Sequence, residues 1–247
     1  MLKIDLISVQ PQMLAGFLGE SIMARAVKKG ACEIRLIDLK EFGLGRWKKT
    51  DDKPYGGGPG MLMRCEPWFA AVEFALGTSI DAMRASASLS TRIILTTPAG
   101  KTFTQRDAEA FAALSPQTTQ LIFLCGHYEG FDARVETLAT DRFSLGDFVM
   151  TGGEIAAAAM TDAIVRLLPG VLGGGAAATA SESFGAEGLL EPPQYTHPPE
   201  FRGMKVPEVL LSGDHARIER WRLAKARELT AALRPDLCET PRGPTER

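Results

Sequence analysis

Four stretches of this sequence combine residue types in patterns that suit ligand chemistry. The first, DDKPYGGGPGMLM over residues 51 to 63, packs four glycines into five positions between two acids and an apolar end. Glycine at that density means backbone in unusual dihedrals, or backbone brought very close to something else. A phosphate is a poor candidate, because a P-loop needs Lys and then Ser or Thr after its last glycine, whereas Gly60 is followed by Met61 and Leu62. The other three stretches are TTPAGK (96 to 101), CGHYEGFD (125 to 132) and SLGDFVMTGGE (144 to 154). Taken singly, each is also what a tight strand-to-helix turn looks like.

The surrounding pattern gives these loops a common place. LKIDLISV (2 to 9) alternates like a strand, SIMARAVKKG reads as a helix ending at Gly30, and EIRLIDL (33 to 39) is the next strand. The same order returns in RIILTT (92 to 97), a helix over 104 to 114, and LIFLC (121 to 125). Such alternation predicts an α/β fold with a largely parallel sheet. In open sheets of that kind ligands sit beyond the carboxyl ends of the strands, where all three glycine-bearing loops would meet. The stretch 77 to 91 reads as a surface connection with at most a short helical piece. The soft segment from 173 to 188 marks a domain boundary. After it, a helix capped by Ser212 or Asp214 runs to about residue 233, burying Ile218 and Trp221, and the tail from 235 on is expected to fray.

Other chemistries find little support. The first strand-to-helix turn, SVQPQMLAG, lacks G-x-G-x-x-G, which disfavours a dinucleotide fold. Cys32, Cys65, Cys125 and Cys238 form no C-x-x-C pair, and His127, His197 and His215 stand far apart, so no metal site or disulfide framework is suggested. A net charge of −2 over 247 residues excludes a wholesale nucleic-acid coat, yet leaves room for local basic faces. Two such faces exist: RWKK at 46 to 49, whose Trp47 is expected to pack, and the helix carrying Arg217, Arg220, Arg222, Lys225 and Arg227. With no apolar run of roughly 18 residues and no signal peptide, a cytoplasmic protein is expected.

Six blocks in order, PYGGGPGMLM, LCGHYEGFDARV, GDFVMTGGE, LLPGVLG, GLLEPPQYTHP and VPEVLLSGDHARIERWR, make the chain from residue 1 to about residue 222 resemble one family. It is similar to the bacterial tRNA (guanine-N1)-methyltransferases that modify guanosine 37, members of the SPOUT class. The resemblance implies a deep trefoil knot, a small C-terminal helical domain that binds tRNA, and a homodimer whose active sites draw on both subunits. It implies a knotted domain over 1 to 170, an interdomain linker over 171 to 190 and the helical domain over 191 to 247.

S-adenosylmethionine is then the expected methyl donor, held by Pro98, Gly126, Tyr128, Leu145, Gly146, Asp147, Phe148, Val149, Met150, Gly152 and Gly153. Asp147 could equally be a loop-capping carboxylate with no ligand. Methylating N1 of neutral guanine requires an acceptor for the N1 proton and a donor or cation beside O6. The resemblance assigns these tasks to Glu182 and Arg166, with Glu129 near the base edge, and Gly58, Gly60, Arg217 and Arg220 toward the RNA.

Glu182 departs from the family's aspartate, and the linker has an extra residue in FGAEGLL, so Glu187 is the alternative base. His127 and His197 replace arginines of the best-known members. The resemblance also brings magnesium as an assisting ion, although no residue cluster announces a metal site. An inactive RNA-binding protein of this fold, or a related enzyme acting on ribose or another base, stays open on sequence alone.

Overall fold

The computed structural model describes residues 1–85, 91–114, 120–173, 179 and 182–239. The chain divides into two units, Met1–Gly173 and Gly174–Arg247. Unit 1 is built on five strands: β1 (Leu2–Ser8), β2 (Cys32–Asp38), β5 (Thr91–Thr102), β6 (Gln120–Cys125) and β7 (Asp141–Ser144). They lie in the order β2-β1-β6-β5-β7, and every pairing is parallel. Two short strands, β3 (Asp51–Asp52) and β4 (Leu62–Met63), pair antiparallel across the glycine loop.

A parallel sheet of this kind is covered on both faces, which is why β6, QLIFLC, is buried at every position. On one face α1 (Gln12–Leu18), α2 (Ser21–Lys28), α5 (Gln105–Leu114) and α6 (Glu154–Val165) enclose a core that includes Leu6, Phe123, Ala157 and Met160. On the other, α3 (Cys65–Leu76) buries Trp68, Ala71 and Val72 against Ile7, Ile93 and Ile122. A short helix α4 (Ile80–Ala85) follows α3 within the expected surface connection, whose residues 86–90 lie outside those described. Apolar-polar alternation in β1 suggests one wet face, but Asp5 and Ser8 are both fully buried. They are tolerated because each is paired. Asp5 accepts from Arg35 Nε at 2.5 Å and from Gln120 Nε2 at 2.6 Å, and Ser8 Oγ donates to Glu154 at 2.5 Å.

β5 runs further than RIILTT suggests, to Thr102, with its pairing to β7 interrupted between Thr96 and Lys101. The interruption contains Pro98, which has no N–H for the ladder. α6 escapes periodicity analysis because EIAAAAMTDAIV is apolar nearly all round, the pattern of a helix buried on most sides.

Unit 2 holds a hairpin of β8 (Glu200–Phe201) and β9 (Met204–Lys205), then α7 (Glu208–Leu211), α8 (His215–Leu233) and α9 (Asp236–Glu239). Asp214 caps α8 by accepting from the Arg217 N–H at 3.0 Å, one of the two caps expected. The buried stripe differs from expectation. Ile218 and Trp221 are only half-buried, and the fully buried residues are Ala226 and Thr230. Thr230 Oγ accepts from the Leu190 N–H at 2.9 Å and donates to the Ala226 carbonyl at 2.7 Å, so small residues admit the 188–197 segment close to the helix. Linker residues 174–178, 180 and 181 and the tail from 240 on lie outside the described residues.

The Asp5 pairings predict that Asp5→Ala lowers unfolding free energy by about 2 kcal/mol. A urea titration checks this. An unchanged midpoint would mean that the buried carboxylate contributes nothing net.

Candidate functional site

Beyond the carboxyl ends of β5, β6 and β7 the three glycine-bearing segments enclose a cavity of about 350 Å³. That falls within the range of small-molecule sites, roughly 300–1,000 Å³. Its framework is a crossing of two backbones: the Gly153 N–H donates to the Gly126 carbonyl at 2.7 Å, and His127 and Gly152 form an antiparallel bridge. Side chains are absent here for a steric reason. A Cβ on Gly126 would stand 2.5 Å from the Phe131 ring, and one on Gly153 would overlap Thr96 Oγ and lie 3.0 Å from the Gly126 nitrogen. Ser144 Oγ closes the adjacent turn, accepting from the Gly146 N–H at 3.1 Å and donating to its carbonyl at 2.9 Å.

Of the eleven residues expected around a donor, ten line this cavity: Pro98, Gly126, Tyr128, Leu145, Gly146, Phe148, Val149, Met150, Gly152 and Gly153. Asp147 does not line it and is exposed. Tyr128 sits in the left-handed region at φ 58°, an uncommon conformation for a bulky residue, and keeps its ring half exposed. Burial, and secondarily the charge of Asp51, raises its phenol above the usual range.

The glycine loop is stitched to this site by backbone bonds. Glu129 N–H donates to Met61 O at 3.1 Å, Met63 N–H to Gly130 O at 2.9 Å, and Asp132 N–H to Met63 O at 2.8 Å. Asp132 is in turn held by Arg134, whose hydrogen bonds draw its carboxyl down to about 2. The Glu129 side chain lines the cavity and lies directly against Gly60, where any Cβ would collide with its carboxylate. At Gly56, Gly57 and Gly58 the first of the two expected reasons for glycine, unusual dihedrals rather than close approach, holds within the chain. Nothing in the chain comes within 4 Å of an added Cβ, and their φ values of 84°, 78° and 126° make conformation the constraint.

The remaining site residues are not gathered at the cavity. Arg166, half-buried, closes the C-terminal end of α6, while Gly153 caps its start. The twelve residues of α6 separate them, about 20 Å along the axis. An arginine side chain cannot span that. Glu182 and Glu187 line an open hollow of about 1090 Å³ formed within unit 2 by residues 182–226.

On α8, Arg222 pairs with Glu219 and Lys225 with Glu228, which leaves Arg217, Arg220 and Arg227 without a carboxylate partner among the described residues. Spaced three and seven apart, these arginines share an exposed face. Trp47 is 77% exposed, with the Arg46 guanidinium 5.4 Å from its ring centroid, so it is a free surface ring rather than a packed one. Among the described residues no group of three or more His, Cys, Asp or Glu side chains could hold a metal ion.

Comparison with known proteins agrees with this geometry. Residues 2–240 match the family model described as tRNA (Guanine-1)-methyltransferase TrmD. The chain belongs to that family. It is 48% identical over 236 residues to a tRNA (guanine-N(1)-)-methyltransferase of Anaeromyxobacter sp. (strain K), covering 96% of this chain and 90% of the relative. Proteins of the same description from Geobacillus kaustophilus and Latilactobacillus sakei are each 47% identical, over 96% of this chain and 92% and 91% of theirs. Membership in the TrmD family makes this an enzyme family of methyl transfer to tRNA, and gives the glycine-lined crossing a chemical context.

Sequence reading missed one group at the crossing. Glu154, the first residue of α6, is fully buried beneath it, and the signal was a carboxylate directly after the Gly152–Gly153 pair at a helix start.

Steric demand at the crossing predicts opposite signs for two glycine substitutions. Gly153→Ala should lower stability by about 1–3 kcal/mol. Gly16→Ala, in exposed helix with nothing within 4 Å of the new Cβ, should raise it by about 0.5–1 kcal/mol. Thermal or urea unfolding reads both, and a neutral Gly153→Ala would contradict the close approach.

Proposed function

We propose that the chain transfers a methyl group from S-adenosylmethionine to N1 of guanosine 37 in tRNAs with guanosine at position 36, as a homodimer. The observation that carries this reading is the small, glycine-walled cavity at the backbone crossing, in a chain of the TrmD family. The cavity suits an adenosyl group: a narrow slot with apolar walls from Leu95, Phe131, Leu145 and Met150, and backbone where glycine removes side chains. We read the crossing as part of a deep trefoil knot. When bound, S-adenosylmethionine supplies an electrophilic methyl on its sulfonium. The chain's own residues then have to orient guanine, accept its N1 proton and offset charge on O6.

Glu182 accepts the N1 proton in this reading, with Glu187 as the alternative, since both stand on one short turn of unit 2. Arg166 faces O6, where a fixed cation is most effective in a site closed to water. Glu129, lining the cavity against Gly60, holds the base edge. The place of Arg166 at the opposite end of α6 from the Gly153 crossing supports a two-subunit site. The exposed arginine face of α8, with Arg217 and Arg220, meets phosphates, and the Arg46–Trp47 turn gives a second contact. A tRNA substrate puts the enzyme in the cytoplasm, in keeping with the lack of any helix among the described residues long and apolar enough to cross a membrane. No step is assigned to magnesium.

Labelled donor with a tRNA transcript tests the reading: methyl should enter the transcript with guanosine 37 and not one with adenosine there. Equal labelling of both would sink it, and no labelling would favour an inactive RNA binder. Glu182→Gln should lower kcat by about 10²–10⁴ with donor affinity unchanged; if Glu187→Gln does so instead, the base is Glu187. Mixing inactive Arg166→Ala and Glu129→Ala subunits should restore activity that neither has alone, and failure to do so would contradict a site shared between subunits. Gly58→Val, forced into a φ that valine rarely adopts, should depress methylation far more than it lowers stability, leaving the purified protein folded by circular dichroism. Equal loss of both would make the loop a purely structural turn.

A further inference from the structure

Beneath the crossing lies a polar cluster for which methyl transfer, as described, has no use. Glu154 has no exposed surface. Its Oε1 accepts from Ser8 Oγ at 2.5 Å, and Ser8 Oγ in turn accepts from the Gln10 N–H at 2.7 Å. Its Oε2 is buried without a hydrogen-bond partner, and so is Nδ1 of His127. The two side chains meet across Gly152. His127 Nδ1 lies 3.7 Å from Glu154 Oε1, and a Cβ on Gly152 would collide with Glu154 Oε2 and stand 2.6 Å from that same nitrogen.

A carboxylate removed from water must be matched by donors or give up its charge. Ser8 supplies one donor, and the start of α6 supplies a favourable field. The second oxygen lacks a donor, and His127 Nδ1, 3.7 Å from the first, lacks an acceptor. Other groups around the carboxylate offer no substitute. Cys125 on β6 is held neutral by burial and secondarily by the charge of Glu154, which push its thiol well up. Ser8 comes from β1, Thr96 from β5, and α1 (QMLAGFL) carries no charge. On α2 and α5, which also pack on α6, Arg25, Lys28, Arg106 and Glu109 are exposed, and Asp107 is paired with Lys101.

We propose that Glu154 is a positioning residue for methyl transfer: with Ser8 and a hydrogen bond from His127 Nδ1 it fastens the two donor loops where they cross. Neutral imidazole with its proton on Nδ1 makes this bond, and imidazolium makes it with charge assistance, about twice as strongly. The role rests on the donor-site reading above.

Two measurements test it. Glu154→Gln keeps the shape but not the charge, so S-adenosylmethionine affinity by calorimetry should fall about fivefold, as loss of a charge-assisted bond requires, whereas His127→Arg, which keeps a donor facing the carboxylate, should bind the donor as the wild type does. If Glu154→Gln retains the wild-type affinity, or changes only the melting temperature, the positioning role is overturned.

Imidazole 15N spectra of the donor-free protein, which has three histidines, give an independent reading; His127→Arg assigns the signal. His127 should carry its proton on Nδ1, with a signal that moves in Glu154→Gln. A signal indifferent to that substitution overturns the pairing. Should the pair be present while the wild type binds no donor, the donor-site reading falls and the positioning role falls with it.

Discussion

The hydrogen bond from the Gly153 N–H to the Gly126 carbonyl, 2.7 Å long, joins the loop that leaves β6 to the turn that starts α6. A Cβ on Gly153 would overlap Thr96 Oγ and crowd the Gly126 backbone, and one on Gly126 would strike the Phe131 ring, which favours glycine on both sides. The rest of unit 1 follows from holding that contact in register. β6 must be buried on both faces to bring residue 126 to the sheet's end, and α6 must be apolar nearly all round to start there. The β5 irregularity around Pro98 and the Ser144–Gly146 turn then wall the space left beside the crossing.

In the proposed reading, this arrangement divides the chemical work. The crossing supplies shape and backbone polarity, a rigid cradle that needs no nucleophile. Charge that could act on a purine is carried elsewhere: on Glu129 beside Gly60, on Arg166 at the far end of α6, and on Glu182 and Glu187 in unit 2. Positioning of groups from separate elements is a costly way to build a site. It suits a reaction whose catalytic needs are orientation and charge placement rather than covalent chemistry.

Much of the sheet was legible in the sequence because parallel strands buried on both faces read as apolar runs, as in RIILTT and LIFLC. The loops beyond them, each by itself no different from a tight strand-to-helix turn, pointed to a ligand only through their common place at the strand ends and through the family resemblance. What periodicity could not show is instructive. α6 has no polar face to betray it, and the polar residues of β1, which alternate as if toward solvent, are buried against Arg35, Gln120 and Glu154. α8 displays its aromatic residue only half-buried, because its docking surface is the small pair Ala226 and Thr230. Of the two readings of the glycines at 56 to 58, unusual dihedrals or close approach, their positive φ values bear out the first within the chain. Gly60, against Glu129, is the one in that loop whose Cβ would meet the chain's own atoms.

Amide hydrogen exchange with and without S-adenosylmethionine tests the central claim most directly, that the crossing forms the donor cradle. Addition of the donor should slow exchange at residues 126–128 and 144–153 and leave α8 unaffected. Protection confined to residues 182–226, or absent from the crossing, would contradict it.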